Sequence, residues 1–202
     1  MPRSILFVDL AGTLILRDPE IRRWVAWTGV AGLLHSLAAR HDLHLTTGDS
    51  TAGARAALDS LEVRELFAGL HTNLPGGGKP FGALARTLGA RPEQCLALGD
   101  SPVSDTAGDS DRVVSVILEH HAAQVPVARV SQVVDALAGE AGFLAGFEAA
   151  LAADPTAGAA GEPAPGPLHA APLVPFGSIP DARLGWWRRS ATQRRPVVVL
   201  TA

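Results

Sequence analysis

The chain has 202 residues and a formal net charge of −3, a length that suits one α/β domain with a sizeable core. The acidic balance argues against a nucleic-acid binder that acts through bulk charge. A single cysteine, Cys95, excludes an internal disulfide, and its apolar neighbours favour a core position. With no secretory signal and no apolar run of bilayer length, we expect a cytoplasmic protein without membrane contact.

Strand and helix signals alternate from residue 4 to about residue 138, which favours an α/β fold with a doubly wound parallel sheet. The apolar runs predict strands at 4–9, 42–47, 69–73, 95–99 and 113–118. The helical signals are an N-cap and proline at Asp18-Pro19 and apolar faces over about 30–40, 51–59, 80–89 and 131–138. We expect these elements to form one catalytic domain over residues 1–150.

Residues 151–202 differ from the rest of the chain in composition and charge. They contain 8 of the 15 prolines and carry a net charge of +2, whereas residues 1–150 have 12 basic and 17 acidic side chains, or −5. This composition is typical of a linker or an extended tail. Its end holds the basic Trp/Arg segment 186–189 and the apolar run 197–200. The pattern favours docking on the acidic body or an added edge strand through 197–200 over nucleic-acid stacking. Contact with a partner protein or with a second copy of the chain is a further alternative.

Four short motifs follow predicted strands or open a predicted helix. They are Asp9 with Gly12-Thr13, Thr46-Thr47-Gly48, Lys79-Pro80, and Asp100 with Asp105. Parallel strands bring their carboxyl ends to one edge of a sheet, so we expect these groups to converge there. Carboxylates, a hydroxyl and an ammonium group together suit a phosphoryl group and its Mg²⁺. Asp9 can then attack phosphorus as a carboxylate nucleophile.

The order and spacing of the motifs over residues 4–138 resemble the haloacid dehalogenase (HAD) superfamily of hydrolases. Its first motif, Asp-x-Asp-x-Thr, here has Ala11 in place of the second Asp. The resemblance implies an HAD-type Rossmann-like core with little or no cap domain, Mg²⁺ as cofactor, and a phosphorylated small molecule or macromolecule as substrate. It also implies Asp9 as nucleophile, Thr47 and Lys79 as catalytic residues, phosphate contacts from Gly12, Thr13, Thr46 and Gly48, and metal ligation by Asp9, the Ala11 carbonyl, Asp100 and Asp105.

Ala11 removes the carboxyl group that protonates the leaving group in phosphatases of this family. General acid–base help of this kind is worth about 10²–10⁴-fold in rate. Three alternatives remain open. The substrate can have a good leaving group, such as an anhydride or an acyl phosphate; another side chain, a His or a Glu, can replace the acid; or the protein is a catalytically impaired module that binds a phosphorylated ligand or partner.

A small insert at 17–28 is all that the spacing leaves for a cap. Its Trp24 and Trp27, three residues apart, predict one packed helix face. Family members without a cap act on macromolecules or borrow a cap from a partner subunit. The pair His120-His121 has no further spaced ligands nearby, so we expect a surface loop there rather than a metal site.

Overall fold

The computed structural model describes residues 3–107, 112–120, 123–154, 174–190 and 193–202. In these residues the strands are β1 (Ile5–Val8), β2 (Ile15–Arg17), β3 (Trp24–Ala26), β4 (Asp42–Thr46), β5 (Phe67–His71), β6 (Cys95–Gly99), β7 (Val114–Glu119), β8 (Val174–Pro175), β9 (Ala182–Ser190) and β10 (Gln193–Thr201). The α-helices are α1 (Val30–Ala38), α2 (Thr51–Ser60), α3 (Phe81–Thr87), α4 (Val127–Leu137) and α5 (Phe143–Ala153).

Eight strands form the main sheet in the order β5-β4-β1-β6-β7-β10-β9-β8. The first six of these run parallel, and β9 and β8 extend the sheet by antiparallel pairing. From β1 the chain builds outward through β4 and β5, then returns to place β6 on the other side of β1. The gap between the ends of β1 and β6 is therefore the switch point at which open α/β sheets bind ligands. The predicted fold class is confirmed.

Both faces of the sheet are buried along its central strands β1, β4, β6 and β7, which explains the continuous apolar runs in the sequence. Along β1, Leu6 and Val8 point into the larger core, to which α1, α2, α4 and α5 contribute. Ile5 and Phe7 point to the opposite face, where Phe81 of α3 packs against them in a smaller core. Alternate side chains of one strand thus anchor helices on both faces, and β1 is held rigidly at the centre.

The helix predicted to begin at Asp18-Pro19 is wrong, because this segment is the turn of a β2–β3 hairpin. Asp18 Oδ1 accepts hydrogen bonds from the backbone N–H groups of Glu20 and Ile21, at 2.8 and 3.0 Å. The same side-chain bond that would cap a helix therefore closes a turn. Trp24 on β3 is 49% exposed and Trp27 is 2% exposed, so they do not share a helix face.

The C-terminal segment contributes strands to the same sheet as the rest of the chain. β10 pairs in parallel with β7, from Val197 opposite Ser115 to Thr201 opposite Glu119, and its other edge pairs with β9. The apolar run 197–200 is therefore an internal strand rather than a sheet edge. The boundary drawn at residue 150 falls inside α5, and the expected linker at 155–173 lies outside the described residues.

Helix α5 has no counterpart among the predicted elements. Its Phe143 and Phe147 are fully buried in the larger core. Trp186 of β9 packs edge-on against Phe147, with 5.2 Å between ring centroids. In the part of the chain that the structure describes, every helix falls short of the length and apolar character that a bilayer crossing needs.

Candidate active site

Three carboxylates gather at the carboxyl ends of β1 and β6. Asp9 follows β1 directly, and its backbone N–H donates to Leu98 O of β6 at 2.9 Å. Asp100 follows β6, and Asp105 lies in the loop beyond, where its Oδ2 accepts from Ser101 N at 3.0 Å. Ligand oxygens of the three carboxylates lie within 4.8 Å of one another. The predicted convergence at the sheet edge is therefore observed for Asp9, Asp100 and Asp105.

Lys79 forms ion pairs with two of these carboxylates. Its Nζ donates to Asp9 Oδ1 at 2.6 Å and to Asp105 Oδ1 at 2.5 Å. Lys79 lies two residues before α3, and its backbone N–H donates to Ser104 O at 3.0 Å. Asp9, Lys79 and Asp105, which we term the buried cluster, are each less than 10% exposed. The chain's one lysine is thus fixed between two acids.

The electrostatics of the site leave negative charge uncompensated. Three carboxylates face a single ammonium group. Burial raises the pKa of Asp9 to about 6, an effect that Lys79 opposes and Asp105 reinforces. Burial and the neighbouring Asp105 also raise the pKa of the partly exposed Asp100. A divalent cation would offset this charge, and carboxylate oxygens are the hard ligands that Mg²⁺ prefers. The residues present therefore fit a magnesium ion held by Asp9, Asp100 and Asp105.

Two glycines leave room for the carboxylates. Gly12 has φ 90°, and a Cβ there would lie 2.2 Å from Asp100 Oδ2. A Cβ at Gly99 would lie 2.2 Å from Asp105 Cγ. Either side chain would displace a carboxylate, so both positions need glycine for the site to form.

A cavity of about 250 Å³ opens above the buried cluster. It is lined by Asp9, Ala11, Thr47, Gly48, Asp49, Leu74, Pro75, Gly76, Lys79, Asp100 and Ser104. The predicted residues Asp9, Ala11, Thr47, Gly48, Lys79 and Asp100 are all in this lining. Asp105 is outside this lining and is ion-paired with Lys79.

Three of the predicted phosphate-binding residues do not line this cavity. Thr46 Oγ1 donates to Val8 O at 3.4 Å and so faces the β1 backbone. Thr13 Oγ1 donates to Asp9 Oδ2 at 3.3 Å, which orients the Asp9 carboxylate. Gly12 lines a neighbouring cavity together with Asp100. Of the predicted hydroxyls, Thr47 is the one that reaches the cavity.

The sequence analysis missed Asp49. Its Oδ2 accepts a hydrogen bond from Thr47 Oγ1 at 3.0 Å, and Thr47 Oγ1 accepts one from Asp49 N at 3.1 Å. The available signal was its position: Asp49 follows the end of β4 at the same sheet edge as the other acids. Because Asp and Gly are common turn residues, an Asp directly after Gly48 does not stand out in the sequence as a site residue.

His120 and the hairpin border the neighbouring cavity of about 640 Å³, which Trp24 and Arg17 also line. His120 is half-buried and packs edge-on against Trp27, with ring centroids 5.1 Å apart. Its Nδ1 accepts from Val125 N at 3.1 Å. His120 thus lies in the loop that follows β7, as expected, but its ring is half-buried rather than fully exposed. His121 lies outside the described residues.

No protein-family model and no curated protein matches the chain. Among solved structures, a haloacid dehalogenase-like hydrolase from Streptococcus pneumoniae is 16% identical, with TM-score 0.48, over 60% of this chain and 87% of that one. A HAD-superfamily hydrolase of subfamily IA from Geobacter sulfurreducens is 17% identical, with TM-score 0.45, over 62% and 92%.

A third similar structure is 3-deoxy-D-manno-octulosonate 8-phosphate phosphatase from Moraxella catarrhalis, in complex with magnesium and phosphate ions. It is 18% identical, with TM-score 0.40, over 56% of this chain and 67% of that one. The solved structures that the chain resembles thus include members of the family that its motifs indicated.

Proposed function

We propose that this protein is a Mg²⁺-dependent HAD-type phosphohydrolase that forms an aspartyl-phosphate on Asp9. The observation that supports this most strongly is the buried cluster itself. In this cluster the Lys79 ammonium holds the Asp9 carboxylate and is itself paired with Asp105. A carboxylate fixed in this way at the switch point of a parallel sheet is suited to attack a bound phosphoryl group.

Each residue of the site has a role in this mechanism. An Asp9 oxygen attacks phosphorus in line with the leaving oxygen, and Thr13 and Lys79 hold the carboxylate in place. The Lys79 ammonium offsets charge on the phosphoryl oxygens, and the Thr47 side chain lines the cavity beside them. Mg²⁺, when bound by Asp9, Asp100 and Asp105, reduces the repulsion between the carboxylates and the phosphate. Water then attacks phosphorus and frees Asp9.

A second candidate function follows from Ala11, whose methyl group has no proton to give. In that case the protein is an impaired module that binds a phosphorylated small molecule or macromolecule in the same cavity. Binding would use Lys79, Thr47 and the metal, with no covalent step.

Trapping of the phosphoenzyme separates the two functions. The protein is incubated with Mg²⁺ and labelled acetyl phosphate, quenched in acid, and tested for a label that hydroxylamine removes. We expect label on the wild type and on the exposed-site control Asp59→Asn, and none on Asp9→Asn. Label on Asp9→Asn would refute the nucleophile assignment. An unlabelled wild type that still binds phosphate would favour the module.

A further inference from the structure

The cavity contains one carboxylate that belongs neither to the buried cluster nor to the three-acid metal set. Asp49 is exposed at its mouth, two residues beyond Thr47. The Thr47 hydroxyl donates to Asp49 Oδ2 at 3.0 Å. Among the described residues no hydrogen bond to Asp49 Oδ1 is found. One oxygen is therefore held in position, and the other has no such partner among the described residues.

Asp49 borders the space left by the small side chain of Ala11. Both residues line the cavity above Asp9, and both also line an adjoining cavity of about 460 Å³ between the hairpin and α2. The methyl group of Ala11 leaves this space open. A leaving group displaced from phosphorus by Asp9 into this cavity would meet the Asp49 carboxyl group in its lining.

The other groups of the cavity lining that carry exchangeable protons are already committed. Lys79 is ion-paired with Asp9 and Asp105. Ser104 Oγ donates to Asp105 Oδ2 at 3.2 Å. Thr47 donates to Asp49 itself. The acids and the lysine of this lining are Asp9, Asp49, Lys79 and Asp100. Of these, Asp49 alone is neither a proposed metal ligand nor the lysine paired with one.

We propose that Asp49 is the general acid and general base of this site, an inference that rests on the proposed function. In the first step, Asp9 forms a P–O bond while the bond from phosphorus to the leaving oxygen breaks, and the Asp49 carboxyl gives its proton to that oxygen. In the second step, the Asp49 carboxylate takes a proton from water as the water oxygen bonds to phosphorus. The P–O bond to Asp9 then breaks, and Asp49 again carries a proton.

The decisive experiment measures how fast the aspartyl-phosphate decays in Asp49→Asn. Asparagine keeps an oxygen that can accept the Thr47 hydrogen bond but cannot take a proton from water. After labelling with acetyl phosphate, whose leaving group needs no acid, we expect normal phosphorylation of Asp9 and decay slower by about 10²-fold or more. The matched control is Asp59→Asn, an exposed acid on α2 outside the cavity, with decay as in the wild type.

A second measurement compares leaving groups. Turnover of glycerol phosphate by Asp49→Asn should fall at least tenfold further than turnover of p-nitrophenyl phosphate, because only the alkoxide needs protonation. Wild-type decay of the aspartyl-phosphate in Asp49→Asn, or equal loss with both esters, would overturn the role of Asp49 and leave the proposed function intact. A wild type without label on Asp9 would instead overturn the proposed function.

Discussion

The buried cluster and the cavity rim, formed by Ala11, Thr47 and Asp49, border the same cavity at one sheet edge but are built differently. The cluster is enclosed, ion-paired and attached to central strands. Asp49 is exposed, and its side chain accepts one hydrogen bond, from the Thr47 hydroxyl. Changes in the cluster should therefore alter folding and chemistry together, whereas changes at the rim should alter chemistry alone.

Asp9→Asn tests whether the buried cluster supplies the nucleophile. Asparagine has nearly the same shape but no anionic oxygen to attack phosphorus. We expect phosphate release from acetyl phosphate to fall by about 10⁴-fold or more. Steady-state phosphate assays with Mg²⁺ measure this, and Asp59→Asn is again the control. Retention of a tenth of the wild-type rate would show that another group is the nucleophile.

Lys79→Met tests the cluster as a structural unit. Removal of the ammonium leaves two buried carboxylates without their counter-charge, which costs about 3–5 kcal/mol in the free energy of unfolding. Urea denaturation at pH 7 measures the change. Arg64→Met, which breaks the exposed ion pair with Asp59, should cost less than about 1 kcal/mol. Similar losses in the two variants would mean that the cluster is well solvated.

Asp100→Asn separates metal binding from folding. Asp100 is partly exposed, so we expect little change in the free energy of unfolding without metal. Mg²⁺ at 100 times its dissociation constant should stabilise the wild type by about 2.7 kcal/mol, and most of this gain should vanish in the variant. Thermal unfolding with and without Mg²⁺ measures both effects. A full gain in Asp100→Asn would exclude Asp100 as a ligand.

Gly99→Ala tests whether the cluster tolerates one added methyl group. The new Cβ would collide with Asp105, and we expect a loss of about 1–3 kcal/mol in the free energy of unfolding. Gly32→Ala on α1 is the matched control. Its Cβ would meet nothing within 4 Å, so it should stabilise the helix by about 0.5–1 kcal/mol. Chemical denaturation of both variants gives the comparison.

The smallest expected effect is on the pH dependence of stability, through the histidine pair His44 of β4 and His71 of β5. His44 Nδ1 and His71 Nε2 lie 3.2 Å apart, and burial lowers the pKa of both. The unfolded chain binds these protons more readily, so their contribution to stability is present above about pH 6.5 and is lost as the pH falls below it. His44→Gln should reduce this slope by no more than about 1.4 kcal/mol per pH unit. Urea denaturation at pH 7.5 and 5.5 measures it, and an unchanged slope would contradict the assignment.

The central strands could be predicted from the sequence because they are buried on both faces. Predicted strand 95–99 coincides with β6, and α1, α2 and β4 agree to within two residues at either end. The β2–β3 hairpin could not be predicted, because Asp18-Pro19 fits a turn and a helix start equally well. Helix α5 begins at Phe143, and its N-cap residue Gly142 has no side chain to cap it, so the sequence lacked a start signal.

The site was predictable where topology alone decides position. Asp9, Lys79 and Asp100 each stand at a strand end or a helix start, and the parallel sheet brings them together. The hydroxyl direction of Thr46 and the role open to Asp49 depend on side-chain rotamers, on which single-sequence patterns are silent.

The position of β10 between β7 and β9 has a consequence for how the chain folds. β7 is complete long before β10, which follows only after α4, α5 and the segment 155–173. Until β10 pairs, β7 presents an unpaired apolar edge to solvent, the kind of edge on which other chains can assemble. Closing it requires a parallel pairing between distant parts of the sequence, which is a slow event. A nascent chain thus passes through a period of exposure to aggregation that ends when its last strand is inserted.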